Sequence, residues 1–282
     1  MYNIKISTII PVYAENIIQT KMLEIALDSL IGQTIKPSQV VVSDNSLDRD
    51  CIFNIKQICN KKELNIEYYS NTEFLGAAKN TNFAANQASA ELIHILYQDD
   101  FIINKNLYKE VSKIFYKEID IWLMAQGRVE QRDLVSKFDA ATKFGFNELG
   151  GPSALFVARK NFIPFNPEYR MIFDVINYHE YFLKMGEPYI FRGTNIQFGI
   201  HEYQLSNKVK SKEVFFELLR FIKSYNINGK QIITAVKLIK REIFHQRLLL
   251  LAGLISKKIS FRFFMTNYLV SSIKSIKRKV LN

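Results

Sequence analysis

Residues 92 to 101 read Leu-Ile-His-Ile-Leu-Tyr-Gln-Asp-Asp-Phe, and this stretch constrains the chain more than any other. The apolar run from Leu92 to Leu96 has the composition of a strand buried on both faces, as in parallel sheets. It ends in two adjacent carboxylates, Asp99 and Asp100. In open α/β sheets, ligands bind just outside the carboxyl ends of the strands, which is where this pair falls. Neighbouring carboxylates repel, and a bound cation lets both stay ionised. Asp is also common in turns, so the residues alone leave open a cation site or a turn with two solvated acids.

The chain before and after this stretch alternates strand and helix. Ile4 to Ile10 is a β-rich run, with Pro11 expected to stop the strand. Residues 21–31 place Leu23, Ala26, Leu27, Leu30 and Ile31 on one helical face. Val40 to Val42 is a second strand leading into Ser43-Asp44-Asn45-Ser46. A helix over 50–60, a strand over 66–69, a small-residue helix opened by Gly76 and a helix over 106–117 follow. Such alternation specifies a doubly wound, mostly parallel α/β sheet with flanking helices. Beyond 118 the rhythm loosens. Strands are expected at 119–125, 153–158 and 189–191, and helices at 172–185, 212–223 and 229–250. On the 212–223 helix, Phe215, Leu218, Leu219 and Ile222 form the apolar stripe.

Charge divides the chain unevenly. After Gln204 there are 17 Lys and Arg against 3 Glu, whereas residues 1–204 hold 21 against 24 acids. The whole excess of +11 therefore sits in the last third. A 1–204 domain, with halves 1–118 and 119–204, followed by a basic helical extension over 205–282, is the expected organisation. Cys51 and Cys59 lie eight residues apart on one predicted helix, a rise of about 12 Å, too far to bond; buried free thiols are expected. No signal peptide is visible at Met1 to Ile10. The run Leu248 to Ile255 is shorter than the roughly 20 residues a bilayer span needs, so a cytoplasmic protein is expected.

Several short motifs in order resemble the family 2 glycosyltransferases, whose fold is called GT-A. They are Ile9-Ile10-Pro11-Val12-Tyr13, Gln33-Thr34, Val41-Val42-Ser43-Asp44-Asn45-Ser46, Asn71, Gly76, Ala78-Lys79-Asn80 and Gln98-Asp99-Asp100. Gly151-Pro152-Ser153-Ala154, Asp174 and His201-Glu202-Tyr203-Gln204 look like the acceptor half of bacterial members. The resemblance covers residues 3–204. It implies an enzyme moving a sugar from a nucleotide diphosphate to an acceptor hydroxyl with inversion, a UDP-sugar being favoured. Its donor site would use Pro11, Tyr13, Glu15, Asp44, Lys79 and Asp99, with Tyr13 covering the base and Asp44 accepting from its N–H. Asp100 and His201 would ligate Mn²⁺ or Mg²⁺, a hard cation suited to diphosphate oxygens. Asp174 would be the general base, with His179 and Glu180 as competitors. His94, inside the strand, reads as a satisfied core residue. Tyr97 and Gln98 precede the acid pair where the family more often has an earlier acid, and Lys79 stands where it often has arginine.

Beyond 204 no motif can be placed. Basic residues interleave with Phe, Leu and Ile, as in Lys257 to Phe264 and Lys274 to Val280. That composition suits an anionic membrane surface, placing the enzyme peripherally on the inner face of the plasma membrane beside a lipid-linked glycan acceptor. A basic solvated face or a homodimer contact is the alternative, and no motif supports nucleic acid. Assembly of lipopolysaccharide, capsule or another surface polysaccharide is the expected setting. The rival to an enzyme is a nucleotide-sugar-binding or membrane-associated scaffold without turnover.

Overall fold

The computed structural model describes residues 4–144, 146–204, 211–238, 251–252, 254–260 and 264–265. The chain forms two compact units. The first comprises residues 1–136, 149–168 and 181–202; the second comprises 137–148, 169–180 and 203–282. The second unit is thus drawn from three separate stretches, not cut off at one point in the sequence.

The first unit holds a nine-stranded sheet. Its first half runs β1 (Ile6–Val12), α1 (Ile17–Ile31), β2 (Gln39–Asp44), α2 (Arg49–Lys61), β3 (Ile66–Ser70), α3 (Gly76–Gln87) and β4 (Leu92–Ile95). The four strands are parallel in the order β3-β2-β1-β4. Every residue of β1, β2 and β4 is buried. Full burial of each of Val40, Val41 and Val42 contributes about 1.5–3 kcal/mol. Side-chain caps start two of the helices: Asn16 accepts from the Gln19 amide at 3.1 Å, and Asp48 from that of Cys51 at 2.9 Å. Cys51 and Cys59 are free and buried on α2, and burial pushes their thiols up to about 11 and about 12.

Pro11 does not stop β1, which continues to Val12. The Val12 carbonyl accepts from Asn45 on the β2 side, while Ile9 accepts from Leu96 on the β4 side. Pro11 therefore faces the β4 side, beyond the last paired residue of that strand, Ile95. No ladder bond is lost where its N–H is missing.

The second half adds β5 (Phe101–Ile102), α4 (Leu107–Lys117), β6 (Trp122–Val129), the short β7 (Arg132–Asp133), β8 (Leu155–Ala158) and β9 (Tyr189–Phe198), while α5 (Ala140–Lys143) and residues 173–180 of α6 (Phe173–Met185) belong to the second unit. Antiparallel β8 joins β4 to β6, and β6 runs parallel to β9. The strand expected at 189–191 is thus ten residues long. A register irregularity at Ala125–Gly127 bends its pairing, and a Cβ on Gly127 would lie 2.3 Å from the Ile196 carbonyl oxygen. The strand expected from 153 begins as a 3-10 turn, Pro152–Ala154.

In the second unit, α7 (Ser211–Ser224) and α8 (Gly229–Leu238) follow. The buried face of α7 is Val214, Leu218, Phe221 and Ile222. Phe215 and Leu219, placed on the stripe by sequence, are only half-buried, so the helix is rotated from that reading. The part of the expected 229–250 helix after Leu238, and Lys274 to Val280, lie outside the described residues. Among the described residues, no helix is long and apolar enough to cross a membrane.

Candidate active site at the strand ends

The carboxyl ends of β1, β2 and β4 converge through side chains bonded to backbone. Gln98 and Tyr13 form a reciprocal pair: the Tyr13 amide donates to Gln98 Oε1 and Gln98 Nε2 donates to the Tyr13 carbonyl, both at 2.8 Å. The amide of Ala14 donates to Ser46 Oγ at 2.9 Å. Asn45 accepts from the amides of Leu75 and Gly76 at 2.8 and 3.1 Å, holding the chain at the entry to α3. Gly76 has a φ of +75°, a conformation that favours glycine. Buried Asn80 donates to the carbonyls of Val12 and Ser43 at 3.2 and 3.0 Å, tying α3 to both strands.

Asp44 is fully buried: Tyr68 OH donates to Oδ2 at 2.7 Å and the Ser46 amide to Oδ1 at 2.9 Å. Tyr13 stands at the rim, its ring edge-on to Phe74 at 5.4 Å and its hydroxyl 3.1 Å from Glu15 Oε1. Burial and that contact raise the Tyr13 pKa. Lys79 is exposed on α3, and Pro11 is buried within β1.

Asp100 is buried and held on both carboxylate oxygens. Ser153 Oγ donates to its Oδ2 at 2.5 Å, and the Gly199 amide to its Oδ1 at 2.8 Å. Ser153, read by sequence as part of the acceptor half, also accepts from the Tyr97 amide at 2.8 Å and so pins the acid turn from both sides. Burial, then the adjacent Asp99 charge, hold the Asp100 pKa well above the carboxylate range. His201 Nε2 lies 3.0 Å from Asp99 Oδ2. Among the described residues, neither acid has a Lys or Arg ion pair. Gly199 leaves no room for a side chain, since its Cβ would stand 2.3 Å from the Asp99 carbonyl oxygen.

Behind the turn, His94 is fully buried and stacks on Phe156 at 4.0 Å. Its Nε2 faces the Ser153 carbonyl at 3.0 Å, which can only accept, so Nε2 carries the proton. Nδ1 then accepts from Tyr108 OH at 2.7 Å. Burial lowers this imidazole to about 3, and it is a core residue as expected.

In the second unit, Asp174 occupies the first turn of α6. Asn147 Nδ2 donates to Oδ2 at 2.6 Å and the Val175 amide to Oδ1 at 2.7 Å. It keeps a half-exposed edge although protein surrounds it closely, and burial raises its pKa to about 6 against the pull of these donors. The competing groups are engaged elsewhere. His179 donates through Nδ1 to the Lys143 carbonyl at 2.7 Å and packs edge-on to Phe221 and Tyr225, while Glu180 accepts from Tyr225 OH. The structure thus gathers Asp99, Asp100 and His201 in one unit and places Asp174 in the other. Gln98, Ser153, Gly199 and Asn45 carry more of the first unit's geometry than the sequence motifs implied.

The order and pairing of the sheet are those of the GT-A fold. The family model described as Glycosyl transferase family 2 matches residues 7–175, more than half of the chain, and the protein belongs to that family. No curated protein sequence matches it. Among solved structures, TarS of S. aureus aligns over 92% of this chain and 50% of its own, with 18% identity and a TM-score of 0.62. This chain therefore spans about half the length of TarS. TarS 1–349 in complex with UDP-GlcNAc aligns over 95% of this chain and 79% of its own, with 18% identity and a TM-score of 0.58. Mannosyltransferase PcManGT from Pyrobaculum calidifontis, in complex with GDP-Man and Mn²⁺, covers 98% of this chain and 81% of its own, with 11% identity and a TM-score of 0.61. At these identities the structural likeness carries the fold.

Proposed function

We propose that the chain is an inverting, metal-dependent glycosyltransferase. It transfers a sugar from a nucleotide diphosphate, a UDP-sugar being favoured, to a hydroxyl of a glycan or lipid-linked glycan in surface-polysaccharide assembly. The observation that carries this reading is the Asp99–Asp100 pair at the end of β4, in which burial and the neighbouring Asp99 charge raise the proton affinity of Asp100 and, among the described residues, no Lys or Arg pairs with either acid. Two carboxylates and an imidazole are a hard, oxygen-rich donor set that fits Mn²⁺ or Mg²⁺. Asp100 and His201 would hold the ion, with Asp99 turned to it or to the ribose. Among the described residues no group of three such ligands is already gathered, and His201 lies against Asp99. When bound, a divalent cation offsets the charge that develops on the departing diphosphate.

The protein's own side chains do the remaining work. Tyr13 offers a flat face to the base. Asp44 is fully buried with its two oxygens held by Ser46 and Tyr68, so accepting from a base N–H would require one of those groups to give way. Glu15 borders the same rim, Pro11 would contribute only through the backbone of buried β1 beneath it, and exposed Lys79 supplies a point charge for phosphate. Asp174 takes the proton from the acceptor hydroxyl, and a value near 6 keeps it ionised at neutral pH while still basic enough to accept. A single displacement of this kind inverts the anomeric centre. Residues 1–204 would carry the reaction, and the basic segment from 205 would lie against an anionic membrane or a second copy. TarS with UDP-GlcNAc and PcManGT with GDP-Man and Mn²⁺ support both the donor class and the cation.

Calorimetric titration of UDP, GDP and dTDP, with and without Mn²⁺, tests the site on wild type and Asp100→Ala. Metal-linked binding of one nucleotide, lost in the variant, is the expected result. Metal-independent binding of every nucleotide would sink the cation assignment.

A further inference from the structure

Glu217 is an anomaly on α7. It lies on the buried face between Val214, Leu218 and Phe221, and it is only 8% exposed. Its carboxylate pairs with no Lys or Arg among the described residues; Arg170, the nearest in sequence to its partners, turns its guanidinium to Glu213 at 3.4 Å. Three successive backbone amides fill it instead. The Arg170 amide donates to Oε1 at 2.7 Å, and those of Met171 and Ile172 donate to Oε2, both at 2.9 Å. Consecutive amides aimed at one anion form a nest, and here the anion is a side chain from more than 40 residues further along the chain.

The nest ends at Ile172, directly before α6, and Asp174 is the second residue of that helix. Three bonds to a single rigid carboxylate set the path of the backbone into the helix. That path sets where the Asp174 side chain points. Asn147 and the Val175 amide then fix its oxygens locally. Side-chain choice at 217 follows from this. Gln would offer an NH₂ to at least one of the amide donors, and Ala would leave all three without a partner.

The geometry points to Glu217 as a positioning residue for the transfer reaction, a tether by which α7 sets the Asp174 turn. The segment after residue 204 then belongs to the catalytic apparatus and not only to an interaction surface. This inference rests on the reading of Asp174 as the base.

The test uses the full chain carrying Glu217→Gln, Glu217→Ala, Asp174→Asn and the double variant Glu217→Gln/Asp174→Asn. Glu217→Gln should lower kcat by between about 10- and 100-fold, the loss expected when a catalytic group is displaced by about 1 Å. Glu217→Ala should lower it further. In both variants KM for the sugar nucleotide and calorimetric affinity for the nucleotide should stay within about twofold, because those report the other unit. In the Asp174→Asn background, Glu217→Gln should cost less than about twofold, since its route of action is already gone. Unchanged kcat in Glu217→Gln overturns the tether. So does a parallel loss of nucleotide affinity, or an equal loss in the Asp174→Asn background. Wild-type turnover in Asp174→Asn sinks the base assignment itself, whatever Glu217 does.

Discussion

The acid turn of the first unit and the start of α6 in the second hold the same functional group under different rules. Asp100 is buried beside a second carboxylate, and its proton affinity rises because of burial and like charge. Asp174 is held by neutral donors at a helix start, and burial, with a smaller push from the Glu217 charge, lifts it to about 6. The first arrangement disfavours full ionisation of both acids, a penalty that the cation of the proposed function would relieve. The second leaves a carboxylate poised to exchange a proton near neutrality. Environment, not residue type, separates the two roles.

The largest effect should come from breaking the acid pair. Asp100→Ala should lower kcat by about 10³-fold, the loss expected when a divalent cation's several kcal/mol of charge stabilisation is removed. Steady-state turnover checks it, and a loss below tenfold would erase the contrast with Asp174. Asp174→Asn should lower kcat by about 10²–10⁴-fold while nucleotide binding persists in calorimetry. Next comes Gly199→Ala, whose Cβ meets the Asp99 carbonyl oxygen. Overpacking there should destabilise the fold by about 1–3 kcal/mol in denaturant unfolding, with metal-linked nucleotide binding weakened as well.

The smaller effects sharpen the Asp174 side of the comparison. Asp174 must be ionised to accept a proton, so kcat should fall as pH drops through about 6 and level off above it. A pH–rate profile flat between 5 and 7, or an acid limb near the ordinary carboxylate value of about 4, would contradict the raised pKa. Asn147→Leu removes a donor that favours the charged form, so the acid limb should move to higher pH by up to about one unit. A shift to lower pH would show that Asn147 does not stabilise the carboxylate.

The sequence disclosed one half of this site far better than the other. β1, β2 and β4 are buried on both faces, and buried parallel strands spell themselves out as apolar runs. The acid pair at the end of β4 was legible for the same reason. β9 was read as three residues because its first six positions are exposed or half-exposed and its register with β6 is irregular. Pro11 misled because a missing N–H matters only where a neighbour strand waits for it. Gln98, Ser153 and Gly199 act through contacts 53 to 99 residues away in sequence, which no local pattern encodes. Charge counting separated residues 1–204 from a basic remainder, but it could not see that 137–148 and 169–180 pack in the second unit.

That discontinuity has a consequence in time. A chain emerging from the ribosome has presented all the residues of its first unit once residue 202 is free. Asp174 is already synthesised by then, but Glu217, the carboxylate that fills the amides ahead of its helix, is not. A nascent chain halted before α7 should therefore capture nucleotide and transfer no sugar. On that reading, ligand recognition and turnover would mature at different moments of synthesis, with turnover waiting for α7.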